Sequence, residues 1–233
     1  MSTPTPAPLI CVQIGTPRPL GCEGQMSAIW KFPVFGKVEV GREGLAGDAQ
    51  ADRRVHGGPE KAVHQYAFHH YEAWRKRFPQ AAPQLLRGSF GENLSTDEHD
   101  ETNVFIGDCF AIGTAVLQVC QPRRPCWKLD HRFVAPGLAS AMQETGWSGW
   151  YFRVVEPGTI EVGNAMTLVE RLPGAISLAD FWRLFHAPGV DADALSSLRG
   201  LPGLASNWVK KITDRLSGAA ANDDLGRLHR ATP

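Results

Sequence analysis

The residues best equipped for chemistry in this chain are the nine from Gln121 to Leu129, Gln-Pro-Arg-Arg-Pro-Cys-Trp-Lys-Leu. They set one thiol, Cys126, between Pro125 and Trp127, with Arg123, Arg124 and Lys128 close by in sequence. The reactive form of cysteine, as nucleophile or as metal ligand, is the thiolate, and neighbouring positive charge favours it. Pro122 and Pro125 restrict φ and stiffen the loop that carries the thiol. A cysteine serving only as core filler belongs in an apolar strand. Spacing alone leaves attack on a substrate and ligation of a metal equally open.

A second polar stretch runs from Gly47-Asp48 through Asp52, Arg53, Arg54 and His56 to Gly57-Gly58-Pro59-Glu60-Lys61. Paired glycines ahead of a helix can turn backbone N–H groups towards an anion, and Lys61 adds charge at the first turn. The pattern is neither a Walker P-loop nor G-x-G-x-x-G. A turn in which His56 bonds a strand end accounts for it equally well. Asp48, Asp52 and Glu92 are loop carboxylates able to do acid–base work, although such residues more often cap turns or face solvent. His64, His69 and His70 follow, without an H-E-x-x-H pattern. The spacing of His64 and His69 does not align them on one helical face, which disfavours a metal site there.

These residues need elements to hold them. Leu9 to Ile14 and Ser27 to Phe32 read as strands around a Pro/Gly-rich turn, and Val34 to Val40 reads as a further short strand. Gly41 to Pro59 is a long irregular loop. Lys61 to Phe78 is predicted as a helix on Val63, Tyr66, Ala67, Tyr71 and Trp74, its aromatics forming core. Val104–Ile106, Cys109–Ile112 and Ala115–Cys120 are short strands joined by Gly107-Asp108 and Gly113-Thr114. Leu138–Thr145 reads as a helix, and Tyr151–Val155 and Ala165–Val169 as strands. Short strands with glycine turns indicate a barrel or sandwich.

After Arg171 the period becomes helical. Ser177 and Asp180 provide an N-cap and first turn ahead of Phe181, and Asp191–Leu198 and Leu204–Leu216 form two more short helices. The expected organisation is a disordered tail over 1–8, a β-rich domain over 9–171 and a three-helix domain over 175–230. The fold class is mainly β with peripheral helices.

Composition narrows the function. A chain of 233 residues that is 43% hydrophobic and 21% charged is ordinary for a soluble globular protein. Its 24 basic and 24 acidic residues cancel, which excludes general attraction to a nucleic-acid backbone. Five cysteines without a C-x-x-C pair, together with an N-terminus lacking charged and apolar signal regions, point to free thiols in the cytoplasm. No apolar stretch approaches the roughly 20 residues that span a bilayer, so no membrane is expected.

Five motifs occur in an order that resembles MOSC domains, named for the C-terminal part of molybdenum cofactor sulfurase. They are Gly44-Leu-Ala-Gly47-Asp48-Ala-Gln-Ala-Asp52, His56-Gly57-Gly58-x-x-Lys61-Ala62-Val63, Phe90-Gly91-Glu92-Asn93-Leu94, Ile106-Gly107-Asp108, and Gln121-Pro122-Arg123-x-Pro125-Cys126-x-Lys128-Leu129. The chain is most similar to the bacterial stand-alone subgroup that confers hydroxylaminopurine resistance, whose members append three helices.

The resemblance implies a MOSC β-barrel that binds a molybdenum cofactor, with Cys126 as the protein ligand to molybdenum. The implied reaction is two-electron reduction of N-hydroxylated bases and related N–O compounds, with an external electron-donor reductase and a homodimer. A soft thiolate suits a metal held by dithiolene sulfur, and the redox chemistry belongs to the cofactor. Arg123, Lys61, Lys128 and the Gly57-Gly58 loop then become anchors for the phosphate and pterin. Asp48, His56 and Asn93 become polar contacts to pterin or substrate. Sulfur transfer through a Cys126 persulfide, and a cofactor carrier without reductase activity, stay open as alternatives.

Overall fold

The structure, a computed structural model, describes residues 5–21, 24–218 and 223–228, without the side chains of 54, 55 and 223–225. Cys22 lies outside them. In chain order the strands are β1 (Ala7–Pro8), β2 (Cys11–Ile14), β3 (Arg18–Leu20), β4 (Gln25–Ser27), β5 (Phe32–Pro33), β6 (Val38–Gly41), β7 (Gly44–Leu45), β8 (Val63–Ala67), β9 (Leu94–Thr96), β10 (Cys109–Ile112), β11 (Ala115–Pro122), β12 (Trp150–Glu156), β13 (Gly158–Ile160) and β14 (Ala165–Glu170). The helices are α1 (Arg53–His56), α2 (His70–Arg77), α3 (Lys128–Phe133), α4 (Leu138–Thr145), α5 (Leu178–His186), α6 (Ala192–Arg199), α7 (Ser206–Leu216) and α8 (Asp223–Leu228).

Nine strands form one curled mixed sheet, a half-barrel, in the order β1-β14-β10-β11-β12-β8-β9-β2-β5. Its pairings are antiparallel except for parallel β8–β9. The main core joins sheet residues such as Phe110, Leu117, Trp150 and Phe152 to Phe181, Leu198, Trp208 and Ile212 of the C-terminal helices. A second core gathers Tyr66, Tyr71, Trp74, Phe90 and Phe133 around α2, α3 and α4.

The C-terminal helices start as the sequence predicts. Ser177 Oγ accepts from the Asp180 amide at 3.0 Å, the expected N-cap. They dock by close backbone approach. A Cβ on Gly107 (φ +90°) would sit 2.8 Å from the Pro202 carbonyl oxygen, and one on Gly203 equally close to the Gly107 Cα. No larger residue fits that seam without movement.

Four readings change. Lys61 to Phe78 is not one helix: a single 3₁₀ turn (Pro59–Lys61) leads into β8, and the α-helix begins only at His70. β8 is an interior strand buried at all five positions, so it lacks the alternation that marks a half-exposed strand. Val104–Ile106 is a loop: the Val104 carbonyl accepts the Leu178 amide and the Ile106 amide donates to Ile176 O near the start of α5, while the Val104 and Phe105 amides turn back to Asp100 O and Asp108 Oδ2. The stretches 27–32 and 34–40 keep only their ends as strand, at β4, β5 and β6. Ordered strand begins at Ala7, whose partner is Met166, inside the segment expected to be tail.

Candidate functional site

β11 carries a bulge just before the cysteine loop. Val119 pairs with Phe152 and Gln121 with Tyr151, leaving Cys120 as the extra residue. Its carbonyl accepts the Ala205 amide at 2.8 Å, and its thiol donates to the Glu60 carbonyl at 3.1 Å. Gln121 donates through Nε2 to the same Glu60 O, at 2.6 Å, and its Oε1 accepts from Asn207 Nδ2 at 3.0 Å. The bulge thus joins the sheet, the turn before Lys61 and α7.

Beyond it the chain opens into a cleft with about 690 Å³ of empty space including its mouth. Cys126 is half-buried on the wall, with Lys31, Lys61, Arg123, Arg124 and Lys128 around it. Among the described lining residues the one carboxylate is Asp48, which accepts from Lys31 Nζ and from the Gly15 amide at 2.8 Å. Both members of the Lys31–Asp48 pair are almost fully buried. Burial lowers the Lys31 pKa, and Asp48 opposes that shift.

The field in the cleft is positive. Burial first, then Lys128, Lys61 and Arg123, depress the His56 pKa to about 4, so the ring is neutral at pH 7. The Lys61 pKa is lowered by burial and then by Lys211 on α7 and by Arg124. Register places His64 opposite Tyr151 on adjacent strands, with ring centroids 5.0 Å apart. Burial keeps His64 neutral and holds the Tyr151 phenol protonated, with Arg123 opposing the latter shift.

The structure therefore brings Cys126, Arg123, Lys61, Lys128, His56, Asp48 and Asn93 to one cleft. Gly57 and Gly58 stand outside its wall and lead into one 3₁₀ turn, not the long helix that an anion cradle needs. Asn93 faces the cleft, but its amide is committed internally: Nδ2 donates to Gln13 O at 3.0 Å and Oδ1 accepts from the His64 amide at 3.1 Å. Glu92 is fully buried and accepts from Tyr71 Oη and the Gly88 amide, both at 2.6 Å, so it braces its loop. In the Ile106-Gly107-Asp108 motif, Asp108 receives a two-pronged contact from Arg171 at 2.7 and 2.6 Å.

Sequence reasoning missed three wall residues. His64 and Tyr151 required the β8–β12 register, and Lys31 was hidden in a strand-like run. A lone lysine in such a run is the available signal, since buried lysine needs a partner.

A half-barrel with a thiol over a cationic cleft and a docked helical unit defines the class. The MOSC domain model matches residues 52–167, and the model for the YiiM-like 3-alpha helix domain matches 176–219. The chain belongs to the MOSC family, in its YiiM-like branch. It is 40% identical to Protein YiiM of Escherichia coli strain K12 over 206 residues, covering 88% of this chain and 92% of that protein. A fungal protein named Reductase, from Gibberella moniliformis, is 37% identical, and the match spans 97% of this chain but 40% of that protein. The crystal structure of YiiM from Escherichia coli superposes with a TM-score of 0.82 at 31% identity, covering 97% of this chain and 100% of the other.

Proposed function

We propose that this protein is a molybdenum-cofactor-dependent reductase of N-hydroxylated bases and related N–O compounds, with Cys126 as the metal ligand. The observation that carries the reading is the donor set. Among the described residues no three His, Cys, Asp or Glu side chains converge into a metal cage. One thiol instead opens onto a cleft rich in lysine and arginine. Such a site completes a coordination sphere but cannot build one. That suits a metal bringing its own sulfur ligands on an anionic pterin. The fungal relative's name supports redox chemistry.

When bound, the cofactor supplies the two-electron change that turns an N-hydroxyl group and two protons into an amine and water. Arg123, Arg124, Lys61 and Lys128 hold its phosphate and pterin by charge. The Lys31–Asp48 pair and Asn93 brace the cleft wall, and Gly57-Gly58 links His56 to the turn that carries Lys61. His56 is neutral and the Tyr151 phenol keeps its proton, so both face a bound substrate as uncharged hydrogen-bonding groups. Electrons come from a separate reductase. The reading extends to a cytoplasmic homodimer, which sedimentation velocity checks.

Metal and pterin content of protein purified from a cofactor-competent host tests the assignment. Roughly stoichiometric molybdenum that is lost in Cys126→Ser is expected. Well-folded wild-type protein lacking both would overturn it. Loaded protein given dithionite and an N-hydroxylated purine should release the amine; failure to do so would favour a carrier.

A further inference from the structure

α8 packs on the cysteine loop. It lies past the stretch matched by the three-helix model, which stops at residue 219. Its Arg227 carbonyl accepts the Trp127 amide at 2.8 Å. The Arg227 guanidinium donates through Nη1 to the Pro125 carbonyl and through Nη2, at 2.5 Å, to Gln143 Oε1 on α4. One residue thus bonds the peptide groups on both sides of Cys126. Leu228, buried in the same cluster as Leu129 and Phe133, pins α8 beside α3.

We propose that Arg227 is a positioning residue for Cys126: α8 is a strap that sets where the thiol points in the cleft. The cysteine's own carbonyl is held from the other side by the Leu129 amide, at 3.0 Å. The prolines fix φ at 122 and 125 but leave the rotations about residues 126 and 127 open. Without the Arg227 side chain the Pro125 carbonyl loses its guanidinium partner, and between the Arg123 contacts to Gly149 and Ser148 and the start of α3 the loop keeps only the main-chain bond from the Trp127 amide to the residue 227 carbonyl. A thiol that must meet a bound group needs placement within about 0.5 Å, which comes from the shell around it. Gln143 ties the strap further into the fold, because its carbonyl accepts the Trp182 indole N–H at 2.8 Å.

The inference rests on Cys126 as the reactive residue, as proposed above, but its test needs no cofactor. In cofactor-free protein, the rate of Cys126 alkylation by iodoacetamide is followed by peptide mass spectrometry between pH 6 and 9. Arg227→Ala should label Cys126 about ten-fold faster than wild type, the factor that corresponds to the loss of about one charge-assisted hydrogen bond. The buried Cys11, Cys109 and Cys120 serve as internal controls and should stay slow. Arg227→Lys retains one donor and should fall between the two. Cys126 labelling in Arg227→Ala that is unchanged or slower overturns the proposal. So does acceleration of all four thiols together, which would mean general loosening. A failed molybdenum assay with a positive labelling result would sink the cofactor reading and leave the strap intact.

Discussion

Glu60 is where the half-barrel, the Lys61 turn and the C-terminal helices are fastened together, and its removal has a calculable cost. Its carboxylate accepts from Arg153 Nη2 at 2.9 Å, the Ser206 amide at 3.0 Å and Ser206 Oγ at 2.7 Å. α7 has Ala205 at its N-cap, with no capping side chain of its own, so Glu60 caps it from another element. Loss of a cap costs about 1 kcal/mol, and loss of the hydroxyl bond about 1 more. The Arg153 pair is roughly 30% exposed on both sides, which limits its share to under about 1 kcal/mol. Glu60→Ala should therefore destabilise by about 2–3 kcal/mol, and Glu60→Gln, which keeps an acceptor but no charge, by about 1. Urea unfolding reads this as a lower midpoint at constant slope. A cycle with Ser206→Ala should return a coupling above about 0.5 kcal/mol. A loss below about 0.5 kcal/mol in Glu60→Ala, or zero coupling, would refute the latch.

Two further outcomes follow from the cleft. His56 is neutral when folded, with its pKa near 4 against 6.5 for the free side chain, so the unfolded chain binds the extra proton between those values. Its stability contribution is complete above pH 6.5 and is lost as pH falls towards 4, by up to about 3 kcal/mol. His56→Gln should flatten the stability-versus-pH curve in that window, and an unchanged slope would contradict the assignment. Asp48→Asn leaves Lys31 buried without its carboxylate and should cost about 3–5 kcal/mol in chemical denaturation. Replacing both partners (Lys31→Met with Asp48→Asn) should recover much of that; a double variant as unstable as the single one would count against the pair.

Much of the fold was legible because the signals are local. Ser177 and Asp180 announce α5, and glycine turns separate β10 from β11. The Cys126 motif gave its own identity as a loop thiol among cations. What stayed hidden depends on partners distant in the chain. Val63–Ala67 fits a helical period as well as a strand, and only pairing with β12 and β9 decides it. Asp48 and Asn93 line the cleft, as the motifs suggest, but a sequence shows a polar side chain and not the Lys31 or the Gln13 carbonyl that also engages it. The role of Arg227 rests on contacts across about a hundred residues, for which no local pattern exists.

The extra residue at Cys120 has a consequence for how the chain tolerates insertion and deletion. Up to Val119, β11 alternates between buried and half-buried positions; from Cys120 the next three are all buried. The bulge resets the side-chain phase of the strand. Deleting Cys120 would restore the regular ladder with Gln121 still opposite Tyr151, but it would remove the carbonyl that accepts the Ala205 amide and the thiol that reaches Glu60. The sheet would keep its ladder and lose part of its fastening to α7, so the extra residue serves the joint between the half-barrel and the helices and not the sheet itself.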